Sequence, residues 1–238
     1  MAEPINAAGL RERLDKVREK IAAAARSSGR EPNEVTLVAV SKTHPVAELR
    51  EALGVGATDF GENRIQEAES KIAALGNRPP RWHLIGHLQA NKARRAVKLF
   101  DVVHTLDSVS LADRLERACV EEERAELPVL IQVELSGETT KSGVPAAGLS
   151  ELVKSVNQCS RLRLQGLMTL PQFFEDAERV RPFFRYLREL RDQMQLAGHF
   201  GDGRGELSMG MSHDFEVAIE EGATIVRVGT AIFGERNP

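Results

Sequence analysis

Four apolar residues near the start of the chain, Leu10, Leu14, Val17 and Ile21, recur at spacings of three and four with charged residues between them. That period places them on one face of a helix, which Gly29 and Pro32 bring to an end. The pattern then alternates. Short apolar runs that read as strands lie at Val35–Ser41, Thr58–Gly61, Trp82–Ile85, Val102–Thr105, Val129–Glu134, Leu164–Met168, Glu206–Met209 and Thr224–Val228. Helix-period segments separate them, among them Val46–Leu53, Arg64–Leu75, Ala90–Leu99, Ser110–Glu123, Ala146–Asn157, Glu175–Leu196 and His213–Glu220.

Strands alternating with helices in so short a chain call for a parallel sheet covered on its outer face. An open, doubly wound sheet shows the same alternation, because periodicity does not reveal closure. The strand count favours α/β architecture of the (β/α)8 TIM-barrel type, preceded by one extra helix. No repeat, low-complexity tract or linker interrupts the pattern, so a single domain over residues 1–238 is expected.

Composition changes this picture little. The chain is 42% hydrophobic and 28% charged, as soluble globular proteins are. A net charge of −3 and a pI near 6.1 give no reason to expect a nucleic-acid partner. The basic residues Lys92, Arg94, Arg95 and Lys98 read as a solvated helix face. Cys119 and Cys159 lack metal-ligand spacing and read as reduced thiols. There is no signal-peptide core and no apolar run of about 18 residues. The expectation is a cytoplasmic protein without membrane contact.

In a barrel the C-terminal ends of the strands form the active face. Small and polar clusters fall at those ends: Ser41-Lys42-Thr43, Gly61-Glu62-Asn63, Gly86-His87, Met168-Thr169, Ser208 to Ser212, and Gly229-Thr230. A lysine closing a buried strand is costly unless its amine is used. Burial lowers an amine's pKa and makes imine formation with a carbonyl feasible. The alternative is a lysine that reaches solvent or pairs with Glu62. Gly229-Thr230 and Ser212 offer backbone amides, hydroxyls and a helix start to a phosphate, with Ser208 as a second candidate; ordinary tight turns would look the same. Arg227 shares a strand face with Gly229, and its acceptor is either a pyridine nitrogen or a barrel carboxylate such as Glu134. His83 and His87 are four apart, but on a strand entering a turn, so no metal site is expected; one of them is left as a supporting or ring-stacking histidine.

Several of these segments resemble one known family. Val38-Ala-Val-Ser-Lys42, Phe60-Gly-Glu-Asn63, His83-Leu-Ile-Gly-His-Leu-Gln89, Lys141-Ser-Gly143, Gly166-Leu-Met-Thr169, Leu207-Ser-Met-Gly-Met-Ser212 and Arg227-Val-Gly-Thr-Ala-Ile-Phe-Gly234 look like those of the pyridoxal phosphate homeostasis proteins, relatives of the N-terminal barrel of alanine racemase. The resemblance implies pyridoxal 5′-phosphate held as a Schiff base on Lys42. It places Ser212, Gly229 and Thr230 at the phosphate, Arg227 at the pyridine nitrogen, and Asn63 and Met168 along the ring. Lys141 is either near the cofactor or an ordinary solvated lysine. It also implies a monomer, with apoenzymes that depend on the cofactor as partners.

An arginine at the ring nitrogen keeps that nitrogen unprotonated and weakens the ring as an electron sink. Racemisation also wants a second acid/base opposite the lysine, which racemases take from an added β-domain. The lone tyrosine, Tyr186, is expected on an outer helix. The expected role is therefore a carrier or regulator of the cofactor, with a weak amino-acid racemase or decarboxylase as the alternative.

Overall fold

The computed structural model describes residues 7–76, 80–137 and 142–235. Eight parallel strands close into a barrel: β1 (Thr36–Val40), β2 (Asp59–Glu62), β3 (Arg81–Leu84), β4 (Val102–Leu106), β5 (Leu127–Glu134), β7 (Leu162–Met168), β8 (Glu206–Ser208) and β9 (Ile225–Val228). The β4–β5 and β1–β9 pairings complete the ring, which excludes the open sheet. Each of the eight runs expected from the sequence overlaps one of these strands, with ends that differ by one or two residues. They were legible because strands covered on both faces are rich in apolar residues. Strand β6 (Val144–Pro145) pairs only with the end of β5 and stands outside the ring.

Helix α1 (Ala7–Ser27) buries Leu10, Leu14, Val17 and Ile21, the residues whose spacing announced it. It packs on the last two helices, α8 (Phe215–Glu220) and α9 (Thr230–Phe233), and Arg13 Nε donates to the Ile232 carbonyl at 2.6 Å. The remaining helices are α2 (Val46–Gly54), α3 (Ile65–Leu75), α4 (Ala93–Leu99), α5 (Val109–Glu121), α6 (Leu149–Gln158) and α7 (Arg181–Leu196). Helix α7 starts later than the periodicity suggested. Pro182 in its first turn has no amide to donate, and a 3-10 turn over Ala177–Val180 precedes it. Tyr186 is exposed on this helix.

The basic face of α4 is neutralised by its neighbours. Arg94 pairs with Glu122, Lys98 reaches Glu122 at 2.9 Å, and Arg95 pairs with Glu69 of α3. Among the described residues, no helix is long and apolar enough to cross a membrane.

Inside the ring, Val38, Val102, Leu130, Met168 and Ile225 come from five strands and pack on one another. The same interior holds polar residues: His83, His104, Ser208 and Arg227 are all buried. Burying such groups is unfavourable unless each has a partner, so their arrangement bears on function.

Candidate functional site

A cleft of about 300 Å3 opens at the C-terminal ends of the strands, near the lower limit of ligand pockets. Its walls carry Lys42 from the β1 end, Asn63 from the β2 end, Ser212 from the loop after β8, and Arg227, Gly229 and Thr230 from β9 and its turn. Ile85, Leu170 and Phe173 supply apolar surface. A larger cavity, about 480 Å3, lies at the other end of the barrel under α1 and gathers no comparable set of amine and anion-binding groups. Volume alone does not locate the chemistry here.

Lys42 is half-buried, less enclosed than the sequence suggested. The residues on either side of it are tightly held. The Lys71 ammonium, on α3 and 5% exposed, donates to the Ser41 carbonyl at 2.6 Å, to Glu62 Oε1 at 2.7 Å and to Glu67 Oε1 at 2.6 Å. Ser41 Oγ donates to the same Glu62 oxygen at 2.7 Å, and the Thr43 amide donates to Glu67. Thr43 has φ of 69°, a left-handed conformation unusual for a β-branched residue. Lys71 thus ties down both flanks of Lys42. Glu62, offered above as an ion-pair partner for Lys42, forms its ion pair with Lys71. Burial pushes the Glu62 carboxyl up, against hydrogen bonds from Lys71 and Ser41. Burial also works upward on Glu67, but Lys71 and the Thr43 amide hold it below its ordinary range.

Across the cleft the amides of Gly229 and Ala231 converge on Ser212 Oγ, at 3.1 and 3.4 Å. A Cβ on residue 229 would stand 3.3 Å from the Val40 carbonyl oxygen, so glycine lets this turn lie close against β1. Ser212 is not a helix N-cap, as the sequence suggested. Helix α8 begins at Phe215 with Asp214 in the capping position, and Asp214 Oδ1 accepts from the Met211 amide at 2.6 Å. The periodic segment counted two polar residues of the loop as helix.

Arg227 lies on the cleft wall yet is only 3% exposed. Its Nη1 donates to Ser208 Oγ at 2.6 Å and its Nη2 to the Thr169 carbonyl at 2.9 Å. Burial pulls the guanidinium down to about 10, opposed by the Asp214 carboxyl, so it is charged at neutral pH. Glu134, its other candidate partner, accepts from Ser136 and Gly137. Two expected contact residues do not line the cleft. Ser208 is fully buried behind Arg227, and Met168 is fully buried in the barrel interior, with Leu170 between its cluster and the cleft. Strand alternation identifies the inward face, but not the depth of a residue within the barrel. Lys141 lies outside the described residues.

Asn63 is positioned by backbone packing. A Cβ on residue 86 would fall 2.3 Å from the Asn63 carbonyl oxygen and 2.6 Å from its Cα, so only glycine lets the β3 loop pass. Thr105 Oγ1 holds the Gly86 carbonyl at 2.8 Å. Gly86→Ala is expected to cost about 1–3 kcal/mol by overpacking. Urea unfolding checks this, and an unchanged midpoint would show that the loops have room to separate.

His83 and His87 diverge. His83 is buried in β3, while His87 is exposed with Nδ1 3.5 Å from Asp107. His83, left open above as a supporting histidine, pairs with His104; His104 and Lys71 are contributors that local sequence reasoning passed over. The available signals were a histidine inside the apolar run Val102-Val-His-Thr-Leu106, and a lysine one turn after Ala68 on the inner face of α3.

The fold and cleft define a class of (β/α)8 barrels that present a strand-end lysine opposite a glycine-containing turn with converging amides. The family described as "Alanine racemase, N-terminal domain" matches residues 13–237. The pyridoxal phosphate homeostasis protein of Aquifex aeolicus is 44% identical over 225 residues, 94% of this chain and 97% of its own length. That of Pseudomonas aeruginosa is 44% identical over 229 residues, covering 95% of each. PipY of Synechococcus elongatus, solved with and without pyridoxal phosphate, is 39% identical; its cofactor-bound form superposes with a TM-score of 0.81 over 94% of this chain and all of its own. The chain belongs to the pyridoxal phosphate homeostasis proteins, within the alanine racemase N-terminal-domain family.

Proposed function

We propose that this protein binds pyridoxal 5′-phosphate as a Schiff base on Lys42 and serves to buffer, supply or regulate the cofactor in the cytoplasm. The observation that carries this reading is the convergence, in one cleft, of an amine, an anion-binding turn and a buried guanidinium. The donor set suits the cofactor's three chemical features. The cofactor supplies a reactive aldehyde. Lys42 Nζ is the amine that would hold that aldehyde as an imine, with its oxygen released as water. The Gly229 and Ala231 amides with the Ser212 and Thr230 hydroxyls take the phosphate. Arg227, which can only donate, would face the ring nitrogen, and Asn63 would lie along the ring.

The phosphate role has a direct test. The protein should bind pyridoxal phosphate far more tightly than pyridoxal, and Ser212→Ala should narrow that gap by on the order of tenfold. Equal affinity for the two vitamers would remove the phosphate site from the account.

A donor-only arginine at the ring nitrogen favours a carrier over a vigorous catalyst. The enzyme reading, a weak amino-acid racemase or decarboxylase, finds support in His213. This residue lines the cleft and donates through Nε2 to the Glu175 carbonyl at 2.9 Å, leaving Nδ1 as a base. Exchange of the α-proton of added amino acids separates the two readings. Turnover of about one per second, an ordinary enzymatic rate, would rule out a role limited to carriage.

A further inference from the structure

A continuous line of hydrogen bonds runs through the barrel interior to Arg227. Arg227 Nη1 is 2.6 Å from Ser208 Oγ, which is 2.9 Å from His104 Nδ1. His104 Nε2 is 2.8 Å from His83 Nδ1, and His83 Nε2 is 2.9 Å from Asp59 Oδ1. Ser208 and His104 are 0% exposed and His83 is 1% exposed. Asp59 lines the cavity at the opposite end of the barrel from the cleft. Four residues from four strands therefore connect one end of the barrel to the arginine at the other.

The inventory of donors and acceptors gives this line a direction. Burial works upward on Asp59, but hydrogen bonds from His83 and Thr58 bring its carboxyl below the ordinary range. As a carboxylate it only accepts, so His83 Nε2 carries a hydrogen. Its Nδ1 is then the acceptor of the ring, which puts the hydrogen of His104 on Nε2. His104 in turn accepts at Nδ1 from the Ser208 hydroxyl, leaving the Ser208 oxygen to accept from Arg227. Burial holds His104 well below its ordinary value of 6.5, helped by the nearby His83 and Arg227, in keeping with a neutral ring. An extra proton on His104 would point a second donor at the Ser208 oxygen and strand the hydroxyl hydrogen.

We propose that Asp59, His83, His104 and Ser208 are positioning residues for Arg227, forming a one-way hydrogen-bond chain that holds the guanidinium in a single orientation on the cleft wall. This rests on the cleft being the pyridoxal phosphate site. With Nη1 committed to Ser208 and Nη2 to Thr169, the arginine can present only donors to a ring nitrogen. The chain would thereby keep the ring nitrogen facing donors and unprotonated.

The chain's direction is tested on protein labelled with 15N-histidine and free of added cofactor. Long-range 1H–15N spectra read each tautomer, and His83→Asn and His104→Phe identify the signals. Both rings should be neutral with the hydrogen on Nε2. A hydrogen on Nδ1 of either ring near pH 7.5 would overturn the proposal. The link to Arg227 is tested by pyridoxal phosphate affinity and the absorbance of the bound cofactor. Ser208→Ala and His104→Phe should each weaken binding on the order of tenfold and shift the absorbance maximum. Together they should be no worse than the worse single variant, because they break one chain. Additive losses, or unchanged affinity and spectrum in folded variants, would refute positioning. If His104→Phe does not fold, unchanged affinity and spectrum in Ser208→Ala is sufficient refutation. If the wild-type protein fails to bind pyridoxal phosphate, the functional reading fails, while the tautomers still decide the chain's direction.

Discussion

Lys42→Ala, mixed with pyridoxal phosphate, is expected to develop no near-visible absorbance band while its thermal unfolding stays close to that of the wild type. Lys42 is half-buried at the barrel mouth, and truncating such a side chain changes stability by about 1 kcal/mol or less. The amine is the only atom in the proposed arrangement that bonds covalently to the cofactor. Its removal therefore abolishes the Schiff base and leaves non-covalent binding through the phosphate turn and Arg227. Equilibrium dialysis should still detect weakened cofactor binding to the variant. A wild-type band in Lys42→Ala would mean that a different amine carries the cofactor.

Lys71→Met is expected to be the most damaging of the stability variants. It removes an ammonium that is 5% exposed and leaves Glu62, which is 0% exposed, without its ion-pair partner. Breaking a buried pair from one side costs about 3–5 kcal/mol. The cost depends on pH in a defined direction. Burial already raises the Glu62 carboxyl above its ordinary value of 4.5, and Lys71 is among the groups that lower it. In the variant the folded-state value rises further, so between the two values the folded protein binds more protons than the unfolded one. Stability then falls as pH rises through that window and recovers as pH falls. Urea unfolding at pH 5 and pH 8 should show the larger deficit at pH 8. Cofactor affinity should also drop, because the Ser41 carbonyl loses its donor and Glu67, which holds the Thr43 amide, loses the ammonium that fixes it. A deficit that is equal at both pH values would mean that Glu62 is not the group left stranded.

The barrel was legible because most residues of each strand are buried, and each apolar run is bounded by polar or small residues. What escaped had weak local signals. Strand β6 has two residues, and α9 is a single turn following Gly229. The role of Pro182 depended on whether a helix passed through it or started near it. Within the cleft, Lys42, Asn63, Ser212, Arg227, Gly229 and Thr230 were accessible to sequence reasoning because each lies at a strand end or on the inward face of β9. Met168 and Ser208 satisfy the same rule but sit one layer deeper, which alternation does not encode. The supports were hidden for another reason. Lys71 acts 30 residues from Ser41, and His104 acts 104 residues from Ser208. Pairing of β1 with β2 brings the first two together, and closure of the ring the second.

The account depends most on where the cofactor is attached. Borohydride reduction of the protein loaded with pyridoxal phosphate, followed by proteolysis and mass spectrometry, locates that bond. The account predicts a pyridoxyl group on the peptide containing Lys42. An adduct confined to other lysines, with Lys42 unmodified, would contradict it.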